Sequence, residues 1–102
     1  MSTIVEKIGV PALLEQTAEE CCELAQACLK MTRKLRDENP TPKSIEDIRD
    51  NLVEEMADVA LCITLIEEYT DITNIAEVMT NEMKKLNRWH ERLDAHINLG
   101  EL

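Results

Sequence analysis

Two short acidic segments have the residue types and the spacing that metal chemistry requires. Glu20 and Glu23 are three residues apart, and so are Glu55 and Asp58. Residues three apart on a helix are neighbours on one face, so each helix would present a pair of carboxylates. If the two helices pack antiparallel, the pairs converge and four carboxylates share one site.

The neighbours of these acids favour a site over an ordinary solvated acidic face, although chance acidic pairs are expected in a chain with 21 acidic residues. Leu52 lies three residues before Glu55 and Val59 four residues after it, so this carboxylate borders an apolar stripe. Desolvation and mutual repulsion oppose several carboxylates in one partly buried site. A bound divalent cation would offset both the cost of desolvation and the repulsion between the carboxylates.

Carboxylate oxygens are the ligands that hard cations prefer, which narrows the choice of metal. The loop motif of an EF-hand calcium site is absent from the sequence. A ferritin-like di-iron site would need Glu three residues before His on two helices. Asn87 stands at that position before His90, and Leu93 stands there before His96. The sequence therefore predicts Mg²⁺, with Mn²⁺ as a substitute.

The basic residues agree with a phosphate-bearing substrate, which Mg²⁺ commonly binds together with a few carboxylates. Eight of the 11 basic residues lie in two runs. The first run would also be explained by the favourable interaction of positive charge with a helix C-terminus. The second run would also be explained by an ordinary solvated helix face. The runs are Lys30, Arg33, Lys34 and Arg36, and Lys84, Lys85, Arg88 and Arg92.

Three long helices with a short helix before them must position these residues. Apolar residues recur with the period of an amphipathic helix along three segments. Two glycines and three prolines are too few for a many-stranded sandwich or barrel. We predict one all-α domain over residues 1–102, with a lead-in helix at 2–8 and long helices at 11–36, 45–69 and 75–93.

Breaks and caps set these bounds. Pro40 and Pro42 cannot continue a helix, and Ser44 offers an N-cap for the second long helix. Asn74 offers an N-cap for the third, and residues 94–102 are expected to fray. A chain of this size buries a limited share of its surface. The broad apolar helix faces therefore predict a bundle that homo-oligomerisation completes.

Charge and cysteine usage limit the partners and the compartment. The net charge of −10 disfavours binding to nucleic acid or to an anionic membrane surface. No uncharged apolar run reaches the roughly 18 residues of a membrane span, and no signal peptide is recognisable. We predict a cytoplasmic protein with free thiols in its core, at Cys21, Cys22, Cys28 and Cys62.

Taken together, these segments resemble the MazG-like nucleoside triphosphate pyrophosphohydrolases. Either acidic motif alone is a weak signal, but both in order, with a Pro-containing loop between them, are fairly specific. The matching stretches are EECCELAQACLK (19–30), NLVEEMADVALCI (51–63) and MKKLNRWHERL (83–93).

The resemblance implies Mg²⁺-dependent cleavage between the α- and β-phosphates, which releases a nucleoside monophosphate and pyrophosphate. It also implies a homodimer or a dimer-based homotetramer. Accessory acidic positions match less securely at Glu19 and Glu54. The positions that match metal ligands are Glu20, Glu23, Glu55 and Asp58.

For the mechanism, a carboxylate would accept a proton from the attacking water, with Glu19, Glu20, Glu23 and Glu55 as candidates. Lys84, Lys85 and Arg88 would contact the phosphates, and Trp89 would stack on the base or lie in the core or an interface.

The alternatives to a pyrophosphohydrolase are a non-catalytic acidic helical module that binds a basic protein, and a nucleotide sensor without turnover.

Overall fold

Four α-helices form the regular structure of residues 2–38 and 42–100, the part of the chain that this computed structural model describes, and no strand occurs there. The predicted all-α class and the number of helices are confirmed. The helices are α1 (Ile4–Ile8), α2 (Val10–Arg36), α3 (Ile45–Tyr69) and α4 (Ile75–Asn98). Pro40, one of the two predicted helix-breaking prolines, lies outside the described residues.

Side-chain caps explain where the two later helices begin. The Ser44 hydroxyl oxygen accepts a hydrogen bond from the backbone N–H of Asp47 at 3.2 Å. The Asn74 side-chain oxygen accepts one from the backbone N–H of Glu77 at 3.0 Å. Each cap satisfies a backbone donor that has no partner within the first turn of its helix. Both N-caps predicted from the sequence are therefore confirmed.

Three predicted bounds were wrong. Helix α2 begins at Val10, one residue before the predicted start, since Gly9 is its N-cap. The lead-in helix begins at Ile4 because Thr3 is its N-cap, joined to Glu6 in a reciprocal capping box. The last helix continues through Asn98 and does not fray after Leu93. No glycine or proline interrupts it before Gly100, whose positive φ of 70° lies beyond its end.

The core lies between α2 and α3, which pack against each other as an antiparallel hairpin. Leu13 and Ala27 of α2 are 1% exposed and Ile48 of α3 is 3% exposed. Helix α1 packs on α2 and buries Val5. Of the four cysteines predicted to be core thiols, Cys62 alone is buried, because the others lie on the outer surface of α2.

Helix α4 extends away from the hairpin. None of its residues, all of which the structure describes, is buried. The radius of gyration is 18.0 Å, whereas a compact chain of this length has about 13 Å. One chain thus packs two of its three long helices and leaves the apolar side of the third uncovered. None of the described helices is long and apolar enough to cross a membrane.

Candidate metal centre

Four carboxylates meet at the middle of the α2–α3 hairpin. Glu20 and Glu23 lie one turn apart on α2, and Glu55 and Asp58 lie one turn apart on α3. One carboxylate oxygen from each lies within 4.8 Å of the corresponding oxygen of every other. The antiparallel packing thus brings together all four residues that the sequence predicted as metal ligands.

Two oxygens of this acidic cluster are buried without a partner. Glu20 and Glu55 are half-buried, whereas Glu23 and Asp58 are exposed. Glu20 Oε2 and Glu55 Oε2 are shielded from solvent and accept no hydrogen bond. A buried acceptor without a partner destabilises the fold, and a buried anionic one more so. A cation between the helices would satisfy both oxygens.

The pKa of Glu20 is raised above its ordinary value by this environment. The largest single influence acts the other way, because a hydrogen bond from Gln16 Nε2 to Glu20 Oε1 at 2.7 Å lowers the pKa. Burial of the carboxylate and repulsion from Glu23 and Asp58 outweigh it. Sequence reasoning missed Gln16, although its position four residues before Glu20 on one helix face was a usable signal.

No basic side chain neutralises the cluster within the described residues. The ion pairs found there join Arg36 to Glu38 at 3.9 Å and Arg49 to Asp50 at 3.2 Å. All four of these side chains are largely exposed, and none belongs to the acidic cluster. The cluster is therefore a concentration of negative charge that no basic side chain of the described residues offsets.

The spacing of the oxygens fits a small divalent cation. Mg²⁺ binds oxygen octahedrally at about 2.1 Å, so two ligands on opposite sides of the ion lie about 4.2 Å apart. The oxygens of the cluster lie within 4.8 Å of one another, and small side-chain rotations would bring them to that distance. An all-carboxylate donor set also suits Mn²⁺.

Neutralising one member of the cluster should stabilise the metal-free protein. A carboxyl with a raised pKa binds its proton more tightly in the folded state than in the unfolded chain. It therefore lowers the free energy of unfolding as the pH rises from its ordinary value of 4.5 through the folded-state pKa. We expect Glu20→Gln, measured with a chelator, to raise Tm by a few degrees at pH 7 and by less at pH 4.5. An equal gain in Tm at pH 7 and pH 4.5 would show that the raised pKa of Glu20 is not its cause.

The remaining predicted residues lie outside the cluster. Glu19 and Glu54 are exposed neighbours of cluster residues on α2 and α3. The four residues predicted to contact substrate are exposed on α4, which does not pack on the hairpin. Trp89 is 67% exposed, so it is not a core residue of the single chain. The four are Lys84, Lys85, Arg88 and Trp89.

Concave surfaces occur both beside the cluster and along α4. An apolar groove of about 240 Å³ adjoins the cluster, and Glu20 and Asp58 form part of its wall. A larger hollow of about 500 Å³ along α4 includes Lys85, Arg88 and Trp89. Of these two concave surfaces, only the apolar groove includes carboxylates of the cluster in its wall.

Comparison with known proteins identifies the family. The MazG nucleotide pyrophosphohydrolase domain matches residues 9–93, which include α2, α3, all four cluster carboxylates and most of α4. No curated protein and no solved structure matched the chain. The match covers well over half of the chain, and it agrees with the all-helical fold and the paired carboxylates. The chain therefore belongs to the MazG nucleotide pyrophosphohydrolase family.

Proposed function

We propose that the protein hydrolyses a nucleoside triphosphate to a nucleoside monophosphate and pyrophosphate in a reaction that depends on Mg²⁺. The observation that carries this proposal is the cluster of four carboxylates with two buried, unpartnered oxygens. It lies within the segment that matches a pyrophosphohydrolase family. Residues 1–102 would act as a single domain of this kind.

Glu20, Glu23, Glu55 and Asp58 would hold the metal, for which Mn²⁺ is a substitute. When bound, Mg²⁺ neutralises phosphate charge and lowers the pKa of water. Glu20 and Glu55 are half-buried, so they would supply the inner ligands. The exposed Glu23 and Asp58 leave one side of the cluster open to a phosphate.

A carboxylate at the cluster would take the proton from the attacking water. The water oxygen would bond to the α- or the β-phosphorus as the P–O bond between that phosphorus and the α–β bridging oxygen breaks. Attack at the α-phosphorus expels pyrophosphate and attack at the β-phosphorus expels the nucleoside monophosphate, in each case with the bridging oxygen and the electron pair. Glu20 and Glu55 are candidates within the cluster. Glu19 is a candidate beside it, since its exposed carboxylate is not among the clustered oxygens and stays free to accept a proton.

The phosphate contacts proposed for Lys84, Lys85 and Arg88 require an assembly. These residues are exposed on α4, which has no extensive packing against the hairpin of its own chain. We propose a homodimer or homotetramer in which a second copy covers the apolar side of α4. Such packing would bring Lys85, at the border of that apolar side, towards a strongly acidic site, where its charge would stabilise the charge that develops on the phosphates.

The products test the reaction. We expect incubation with nucleoside triphosphates and Mg²⁺ to release pyrophosphate and a nucleoside monophosphate in one step, with no turnover in a chelator. ³¹P NMR distinguishes this outcome from attack at the terminal phosphate, which yields orthophosphate and a diphosphate. Orthophosphate as the first product would overturn the assignment. Nucleotide binding without turnover would support a nucleotide-sensing module instead.

A further inference from the structure

Gln16 donates a hydrogen bond to the acidic cluster from outside it. Its amide nitrogen Nε2 lies 2.7 Å from Glu20 Oε1. An ionised carboxylate only accepts hydrogen bonds, so the amide NH₂ of Gln16 must face Glu20. The two residues are four apart on α2, and side chains with this spacing are neighbours on one helix face. The hydrogen bond is therefore set by the local geometry of one continuous helix.

The two carboxylate oxygens of Glu20 have different surroundings. Oε1 accepts the hydrogen bond from Gln16, whereas Oε2 is shielded from solvent and accepts none. A buried anionic oxygen without a partner is unfavourable, so Oε2 is the oxygen that gains most from a cation. Gln16 thus occupies one oxygen of Glu20 and leaves the other for a metal.

The number of oxygens that a carboxylate offers affects which cation it binds best. Mg²⁺ demands near-ideal octahedral geometry, whereas Ca²⁺ accepts more ligands in a flexible arrangement and often takes both oxygens of one carboxylate. The two oxygens of a carboxylate are closer together than two adjacent corners of the Mg²⁺ octahedron. A carboxylate that offers a single oxygen therefore suits Mg²⁺, and one that is free to offer both suits Ca²⁺.

We propose that Gln16 is a positioning residue of the metal centre, which presents Glu20 Oε2 alone to the cation and so favours Mg²⁺ or Mn²⁺ over Ca²⁺. The inference rests on the proposed function, because it requires that the carboxylates bind a divalent cation. Gln16 would touch neither the metal nor the substrate and would act through Glu20. Residues that hydrogen-bond to metal ligands in this way orient the ligands and tune the affinity of the site.

Removal of the amide donor should change the preference between cations. Gln16→Met keeps the length of the side chain and removes the hydrogen bond. We expect the ratio of Mg²⁺ affinity to Ca²⁺ affinity to fall about three- to tenfold, because Glu20 is then free to turn both oxygens towards the larger ion. Both affinities would be measured by competition with Mn²⁺, whose free form is quantified by electron paramagnetic resonance.

Two further variants separate the hydrogen bond from other effects. Gln26→Met makes the same chemical change at an exposed position of α2 outside the cluster, and should leave the ratio within about twofold of wild type. Gln16→Lys retains a hydrogen-bond donor at the original position. Its positive charge should weaken the binding of both divalent cations by a similar factor, so the ratio of their affinities should stay within about twofold.

The inference and the proposed function fail in different ways. An unchanged ratio in Gln16→Met would overturn the role of Gln16, and so would an equal fall of the ratio in Gln16→Lys or in Gln26→Met. A wild-type protein that binds neither Mn²⁺ nor Mg²⁺ would overturn the metal centre and with it the proposed function. Circular dichroism and sedimentation of each variant would verify that helix content and assembly are retained.

Discussion

Glu55→Gln is expected to abolish Mg²⁺-dependent pyrophosphate release, with kcat lower by roughly 10³-fold or more. Glu55 Oε2 is buried between α2 and α3 with no partner, so the metal is the group that would satisfy it. Gln has nearly the same shape but carries no negative charge. The variant therefore keeps the packing of the hairpin and removes one of the four anionic ligands.

Glu54→Gln provides a matched control for this experiment. It makes the same chemical change one residue away, at an exposed position outside the cluster. We expect its kcat and its Mn²⁺ affinity, measured by calorimetry, to stay within about twofold of wild type, as for surface substitutions generally. Unchanged Mn²⁺ affinity in Glu55→Gln would remove that residue from the metal site. Equal losses in both variants would contradict the geometry of the cluster.

Local signals in the sequence were sufficient for the helices and for the pairing of the acids. Ser44 and Asn74 cap α3 and α4 by hydrogen bonds within four residues, so their role depends on neighbouring sequence alone. The spacing of Glu20 from Glu23 determines that both lie on one helix face. Their convergence with the acids of α3 needed only that two consecutive helices pack antiparallel.

Features that depend on contacts between distant surfaces were not predictable in this way. The periodicity of α4 shows that it has an apolar side but not what covers that side, and in one chain none of its residues is buried. Cys21 and Cys28 lie on an apolar stripe of α2, yet both are exposed. Some helices have more apolar surface than one neighbouring helix can cover. The sequence periodicity of such a helix is the same whether the uncovered apolar surface contacts solvent or a second copy of the chain.

The apolar stripe of α4 can be located from helical geometry. At 100° per residue, Leu86 and Leu93 lie near the centre of the stripe, between Ile75 and Ile97 in sequence. Leu86 is 46% and Leu93 is 40% exposed. Lys85 lies about 100° from Leu86, at the border of the stripe next to Val78, whereas Lys84 and Arg88 lie about 160° from Leu86. Contact through the stripe would therefore bring Lys85 to the border of the interface and leave Lys84 and Arg88 on the outer side of α4.

Leu86→Glu is accordingly expected to dissociate the assembly and to abolish turnover. An interface through the stripe would bury Leu86, and a buried, unpaired carboxylate together with the lost apolar contact would weaken association by about 100-fold or more. Sedimentation velocity at micromolar concentration should give a dimer or larger species for wild type and an 11.7 kDa species for the variant.

Asn87→Glu introduces the same side chain at the next position, which lies about 100° away around the helix, and should leave the assembly intact. A monomeric wild type that releases pyrophosphate would overturn both the assembly and its role in phosphate binding, since α4 would then have to supply its basic residues to the hairpin of its own chain.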